Sequence, residues 1–449
     1  MREIRIGHCL DVLREMDAAS IQCVVTSPPY WGRRRYDGQQ EVVWGGQPDC
    51  DHAWSSRRYY VEQSTSRRGC EAFSQPGPAN VRRLKAARWR EDATCVRCGA
   101  WRGAYGLEPT PELYVEHTVA ILREIRRVLR PDGVLWLNLG DSYAGSGCTS
   151  SATPKGLKPK DLCLAPFRVA LAVQADGWWL RSVVIWDKPN PKPEPVRDRP
   201  TEGHEYVLLL AKSGRYFYDA DAVRERGPTR WSSDPTERNL RTVWEFSTDS
   251  YPGAHFAVFP PELPRRCILA GSPPKVCATC GAPWERQTRR DVDNAGYPNG
   301  PGGNYVGKGT PPGGQGRDET STLGKVARYR VTTLGWQPTC QCHGEAETVN
   351  VECPECGGSA TGADGDPCQA CDGTGNHESR IWPADVLDQW PTRPAIVLDP
   401  FAGSGTTLMV AEELGRWWIG IDICDEYQAQ IKQRTAQRSL AGALENAIH

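Results

Sequence analysis

Residues 395–422 read AIVLDPFAGSGTTLMVAEELGRWWIGID, and this stretch decides the fold. An apolar run of strand length ends at Asp399, a glycine-containing loop carries the chain to Thr407, a helical segment follows, and a second apolar run closes on Asp422. Glycines at the carboxyl end of a strand let a ligand approach the backbone, and an acidic residue closing the next strand can accept hydrogen bonds from ribose hydroxyls. Asp422 follows Asp399 by 23 residues, the interval a β-α-β hairpin needs. Leu408 stands where a GxGxxG loop has its third glycine, so a pyrophosphate fits poorly. A phosphate-free nucleoside ligand such as S-adenosylmethionine fits better. The candidate cofactor residues are therefore Asp399, Pro400, Phe401, Ala402, Gly403, Ser404, Gly405, Thr406, Thr407 and Asp422.

Outward from this unit, the same alternation recurs. The first 30 residues read as strand, helix, strand, ending in IQCVVTSPPY. Thr110-Pro111 opens a helix whose apolar residues recur from Leu113 through Leu129, and Pro131-Asp132-Gly133 is expected to end it. VLWLNL, RSVVIW and HEYVLLLAK then read as strands and FRVALAVQADGWW as a helix. This order predicts a parallel α/β sheet. Residues 33–106 show little periodicity and read as an insertion. Residues 291–316 hold 9 Gly and 4 Pro, too few apolar groups to bury, and read as a mobile loop.

The second chemical signal is Thr26-Ser27-Pro28-Pro29-Tyr30, directly after an apolar strand. Two prolines fix an extended backbone whose carbonyls have no competing amide donors. Such a site suits an exocyclic base amine, a poor nucleophile whose lone pair is delocalised into the ring and whose N–H groups need acceptors. The Ser27 hydroxyl and the Pro28 carbonyl supply acceptors, and Tyr30 supplies a ring to stack on a flipped base.

Together, SPPY and DPFAGSGTT resemble the amino-group DNA methyltransferases, in the permuted β group where the catalytic motif precedes the cofactor motif. The resemblance extends to LRPDGVLWLNLGDSY, to the run from KPKDLCLAPFRVAL through HEYVLLLAKSGRYFYD, and to HFAVFPPELPRRCILAGS, spanning roughly 1–30, 107–270 and 394–432. It implies a Rossmann-like α/β fold of circularly permuted motif order, with direct methyl transfer from S-adenosylmethionine to a flipped base in double-stranded DNA. Ser27, Pro28, Pro29 and Tyr30 would be catalytic, and Phe259 and Pro260 would join the cofactor residues. Ser at the first motif position is commoner in N4-cytosine enzymes and Asp in N6-adenine ones, so cytosine N4 is the expected target and adenine N6 the alternative. A catalytically inactive zinc DNA-binding protein on the same scaffold is a further alternative, which the intact SPPY and DPFAGSG oppose. His8 departs from the family, which usually carries Asp after Gly7.

Eighteen cysteines in a chain of 449 residues favour metal over disulfides when no apolar leader precedes them. Three tetrads emerge: Cys50, His52, Cys95 and Cys98; Cys277, Cys280, Cys340 and Cys342; and Cys353, Cys356, Cys368 and Cys371. Each pairs two tight knuckles, the arrangement of a closed, structural zinc site. Spacing leaves the pairing between the second and third tetrads open. Pro367-Cys368-Gln369 imitates the nucleophile motif of C5-cytosine methyltransferases, but it lies inside a CxxC knuckle and reads as a metal ligand.

Lys and Arg number 54 against 55 Asp and Glu, a net charge of -1 that conceals a net of +7 over 57–102 and of -9 over 341–390. The expected organisation is a catalytic-motif part (1–32), a basic zinc-binding insertion (33–106), methyltransferase core (107–220), a short target-recognition segment (221–253) with Trp231, Arg238, Arg241 and Trp244, core again (254–274), a cysteine-rich zinc insertion (275–380) and a cofactor-binding part (381–449). Double-stranded DNA is the expected partner, in a restriction-modification, phage or orphan role. A restriction endonuclease and a second copy of the chain are further candidates. No apolar run approaches membrane-spanning length, and a cytoplasmic location is expected.

Overall fold

A computed structural model of the protein describes residues 1–32, 41–55, 58–61, 88–91, 93–144, 157–229, 232–248, 259–292, 329–352, 374 and 376–446. The chain forms two compact units. The first comprises 1–218, 241–274 and 394–449, and the second 219–240 and 275–393.

An eight-stranded sheet organises the first unit. Its strands are β1 (Arg2–Ile6), β2 (Ile21–Thr26), β3 (Leu129–Leu139), β4 (Trp179–Asp187), β5 (His204–Ala211), β6 (Val243–Glu245), β7 (Ile396–Asp399) and β8 (Trp417–Asp422). The spatial order is β1-β8-β7-β2-β3-β5-β4-β6. All residues of β2 and β7 are buried, the signature of strands covered on both faces. The helices are α1 (Cys9–Glu15), α2 (Pro111–Val128), α3 (Ala165–Ala175), α4 (Glu262–Gly271), α5 (Thr406–Glu413) and α6 (Glu426–Asn446). This is the expected Rossmann-like fold in its permuted order, since the last strands in sequence, β7 and β8, sit between the first two in space.

Two local expectations are corrected. The sheet is mixed, because β5 runs antiparallel to both β3 and β4. Residues 188–203 between β4 and β5 carry five prolines and no helix, so the chain returns directly, and a parallel return would need a crossover. Helix α2 begins as expected, with Thr110 Oγ1 accepting from the Leu113 amide at 3.2 Å, but it stops at Val128. Pro131-Asp132-Gly133 lies inside β3. Proline disfavours the helical conformation one residue ahead and would clash with the carbonyl four residues back, which moves the break upstream.

The 221–253 segment is divided. Residues up to 240 belong to the second unit, where strands Glu225–Thr229 and Ser232–Arg238 pair as a hairpin with Arg238 bound to Glu225 at 2.9 Å. Arg241 and Trp244 belong to the first unit. Trp244 is a core residue, buried with its ring 5.8 Å from that of Trp136, and is not available to touch DNA. Trp231 lies outside the described residues, as do residues 293–328, which hold most of the Gly/Pro-rich loop, and 62–87 of the basic insertion.

In the second unit, strands Trp284–Val292 and Tyr329–Pro338 form a long antiparallel hairpin. A small core of Cys277, Trp284, Trp382 and Trp390 lies beside it. Among the described residues no helix is long and apolar enough to cross a membrane.

Candidate active site

The two motifs lie at the carboxyl ends of neighbouring parallel strands, SPPY after β2 and the glycine loop after β7. Thr26 Oγ1 donates to Asp399 Oδ1 at 2.7 Å, tying together residues 373 apart in sequence. The Phe401 amide donates to the same oxygen at 3.1 Å. Asp399 is buried and directed into the protein, so it sets the start of the loop from inside. Burial pushes its carboxyl up to about 6, against hydrogen bonds from Thr26, Thr407 and the Phe401 amide that lower it. The folded chain thus holds this proton more tightly than the unfolded chain, whose value is near 3.8. The contribution of Asp399 to stability is fully present below about 3.8 and is lost as pH rises to about 6. Melting temperatures of Asp399→Asn and the parent at pH 4 and pH 7 check this: the variant should lack that part of the slope.

The loop divides by direction. Ser404, Thr406 and Thr407 are buried, and Arg434 donates to Ser404 Oγ at 2.8 Å and to Thr406 Oγ1 at 3.2 Å. Ser404 and Thr406 thereby brace the loop against α6, and Thr407 Oγ1 donates to the Val25 carbonyl of β2 at 3.4 Å. Gly405 has φ +80°, and a Cβ there would stand 2.7 Å from Ile431, so glycine is required by both conformation and space. Pro400 and Ala402 are also covered, which leaves Phe401 and the Gly403 backbone half-exposed. Asp422 Oδ2 accepts from the Gly403 amide at 2.7 Å and Oδ1 from the Cys424 amide at 2.9 Å. Each oxygen keeps a further lone pair for a ligand hydroxyl. Pro260 is buried and its carbonyl accepts from the Leu263 amide at the start of α4, with half-buried Phe259 just before it.

The SPPY motif is more constrained than its sequence suggests. Pro28 is buried, and Ser27, Pro29 and Tyr30 are half-buried. The Pro29 carbonyl accepts from Tyr114 Oη at 3.2 Å. The ring of Tyr30 lies against Gly140, where a Cβ would come within 2.7 Å of it. The Tyr30 hydroxyl donates to Glu205 Oε2 at 2.7 Å, and Ser27 Oγ lies 3.0 Å from Tyr30 Oη. Asn138 Nδ2 reaches Tyr30 Oη at 2.7 Å and Glu205 Oε2 at 2.9 Å, and Lys188 Nζ pairs with Glu205 Oε1. Burial pushes the Glu205 carboxyl up, but the Lys188 charge and hydrogen bonds from Lys188, Tyr30 and Asn138 outweigh it and hold it below its usual range. Sequence reasoning passed over Asn138, Glu205 and Lys188. The available signal was a polar side chain inside an otherwise apolar strand, in VLWLNL and in HEYVLLLAK.

A ladder of rings joins the insertion to this body. Trp44, on a short strand pairing Val42–Trp44 with Trp101–Gly103, stacks on His117 at 4.4 Å and lies 5.6 Å from Tyr105, which stacks on Phe401 at 5.7 Å. His8 meets the Trp44 edge at 5.0 Å. His117 Nδ1 is anchored to buried Glu108 at 3.0 Å. The same insertion gathers Cys50, His52, Cys95 and Cys98 with all ligand atoms within 4.8 Å of one another, and Cys277, Cys280, Cys340 and Cys342 converge equally in the second unit. Both CxxCG turns close alike: the Gly99 amide donates to the Cys95 carbonyl, and the Gly281 amide to the Cys277 carbonyl, each at 2.9 Å with φ above +70° at the glycine. The third tetrad, Cys353, Cys356, Cys368 and Cys371, lies outside the described residues.

A family model described as DNA methylase matches residues 21–277 and 386–433, covering both motifs and most of the sheet. The chain belongs to the DNA methylase family. It is 36% identical over 289 residues to the type II methyltransferase M.SmaI of Serratia marcescens, spanning 61% of this chain and 76% of that one. To M.Cfr9I of Citrobacter freundii it is 35% identical over 283 residues, spanning 60% and 72%. A solved structure, the PvuII DNA methyltransferase (cytosine-N4-specific), aligns with 96% of this chain and 85% of its own at 15% identity, with a TM-score of 0.44. By the family match and the two type II relatives, the protein is a DNA amino-methyltransferase, with the β-group order of motifs. If Asp422 accepts from the ribose hydroxyls, Asp422→Ala is expected to raise the dissociation constant of S-adenosylmethionine about 5- to 150-fold, ~1 to 3 kcal/mol, since it also releases the loop's Gly403. Calorimetry checks this, and unchanged affinity would move the ribose contact elsewhere.

Proposed function

We propose that this DNA methylase transfers the methyl group of S-adenosylmethionine to the exocyclic N4 of cytosine in double-stranded DNA. The Thr26–Asp399 hydrogen bond carries the reading, because it fixes the amine-binding motif beside the cofactor loop. The amine nitrogen attacks the methyl carbon, the N–C bond forms as the C–S bond breaks and S-adenosylhomocysteine leaves, and the nitrogen then releases one proton to solvent. Ser27 Oγ and the Pro28 carbonyl accept the amine hydrogens, Tyr30 lines the base pocket, and Phe401, Gly403 and Asp422 hold the cofactor. Serine at the first position of the motif supports cytosine over adenine. The type II names of the relatives support a role beside a restriction endonuclease. Single-molecule sequencing and nucleoside analysis of DNA from cells expressing the protein test all of this: N4-methylcytosine at one sequence is expected, and N6-methyladenine would overturn the base assignment.

The tetrads are zinc sites in the same proposal. Four thiolates around a zinc at about 2.3 Å stand roughly 3.8 Å apart. Cys50 Sγ and Cys95 Sγ are 3.9 Å apart, and Cys98 Sγ lies 3.4 Å from His52 Nδ1, so the donors fit a closed tetrahedral ion. Such a metal supplies folding energy to short loops and takes no part in methyl transfer. Cys353, Cys356, Cys368 and Cys371 supply a third site in this proposal.

A further inference from the structure

Hydrogen-bond polarity around Ser27 follows from one carboxylate. An ionised carboxylate only accepts, so both groups within reach of Glu205 Oε2, the Tyr30 hydroxyl at 2.7 Å and the Asn138 amide at 2.9 Å, must donate to it. The Asn138 amide nitrogen can only donate, to Glu205 Oε2, to Tyr30 Oη and, at 3.5 Å, to Ser27 Oγ, so it takes no proton from Ser27. Tyr30 has given its only proton to Glu205, so along the 3.0 Å contact with Ser27 it can only accept. The Ser27 proton therefore points at Tyr30, and Ser27 Oγ keeps a lone pair for an amine hydrogen. Lys188, paired with the other carboxylate oxygen, fixes the charge on which this order depends.

We propose that Glu205, acting through Tyr30 and Asn138, is a positioning and specificity-determining residue that makes Ser27 a pure hydrogen-bond acceptor toward the target base. This deepens the proposed function and rests on the assignment of Ser27 to the amine. An acceptor-only Ser27 welcomes an amino group, whose N–H donates, and repels a keto oxygen at the same place, where two acceptors would face each other. The site thereby discriminates cytosine from uracil, or adenine from hypoxanthine, by polarity, since the two members of each pair are nearly isosteric.

The decisive variant is Glu205→Gln. Lys188 holds the amide oxygen on its own side, so the new NH2 faces Tyr30 and Asn138 and donates where the carboxylate accepted. The Tyr30 proton turns to Ser27, and the Ser27 proton turns into the pocket. Duplexes carrying the mapped recognition site, with deoxycytidine or its keto counterpart deoxyuridine at the target (deoxyadenosine and deoxyinosine if adenine is the base methylated), are compared in binding with S-adenosylhomocysteine present and in single-turnover methylation. Expected for Glu205→Gln are a kcat lowered about 10- to 100-fold, unchanged cofactor affinity, and amino-over-keto preference in binding reduced about tenfold, the consequence of ~1.4 kcal/mol in one hydrogen bond. Tyr30→Phe, which leaves the Lys188–Glu205 pair intact, should relax the preference in the same direction and serves if Glu205→Gln does not fold. Parent-like preference in these variants, with Ser27→Ala inactive, overturns the polarity mechanism while leaving Ser27 its role. An active Ser27→Ala overturns both.

Discussion

Ser27→Ala is expected to lose methyl transfer by roughly 10²- to 10³-fold, the cost of removing one preorganised group that acts on the reacting atoms. Its affinity for S-adenosylmethionine should be unchanged. The separation follows from geometry: Ser27 bonds to Tyr30 after β2, whereas Gly403 and Asp422 bond to each other after β7 and β8. The loss is bounded because Tyr30 Oη and the Pro28 carbonyl stay in place. Radiolabelled methyl transfer and calorimetry with the cofactor are the two measurements. Full activity in the variant would remove Ser27 from the mechanism.

Metal removal should have the largest effect on folding. Purified protein is expected to hold three zinc ions per chain, one per tetrad, and structural zinc supplies ~10 to 16 kcal/mol of apparent binding energy. Cys50→Ser combined with His52→Ala should lower the count by one. It should also weaken cofactor binding about tenfold, an effect of ~1.4 kcal/mol, because Trp44, beside that knuckle, leads through Tyr105 to Phe401. Elemental analysis and calorimetry on the same preparation decide it. An unchanged zinc count would remove the metal from the first tetrad, and a lower count with unchanged cofactor affinity would break the link between insertion and pocket.

The polar network around Ser27 and the inward turn of the loop share one lesson about motifs. Nine consecutive residues of DPFAGSGTT look equivalent as a sequence motif, yet only Phe401 and Gly403 remain half-exposed. Asp399, Ser404, Thr406 and Thr407 serve the loop's shape, because a glycine turn at φ +80° holds only if its flanking polar groups are satisfied inside. Sequence position says which residues form the loop, and tertiary partners say which way each one points.

The sequence by itself determined the strand-loop-helix-strand unit of 395–422, the βαβ opening, the proline pair at the end of β2, the first two Cys/His tetrads as clusters and the permuted order of motifs. The signals behind these are local, since a hydrophobic period, a pair of ring-fixed residues or a CxxCG turn fits within a few positions of chain, and the tetrads and the motif order follow from the sequence positions of such signals. Only the tertiary structure decided the antiparallel placement of β5, the burial of Trp244, the wiring of Asn138, Glu205 and Lys188 to Ser27, and the ring ladder from Trp44 to Phe401. Those features join residues separated by tens to hundreds of positions, Thr26 to Asp399 across 373 of them, and no local period or turn encodes which distant side chain completes a hydrogen bond. The order of strands in the sheet brings the partners together, and the need to satisfy every buried polar group selects among them.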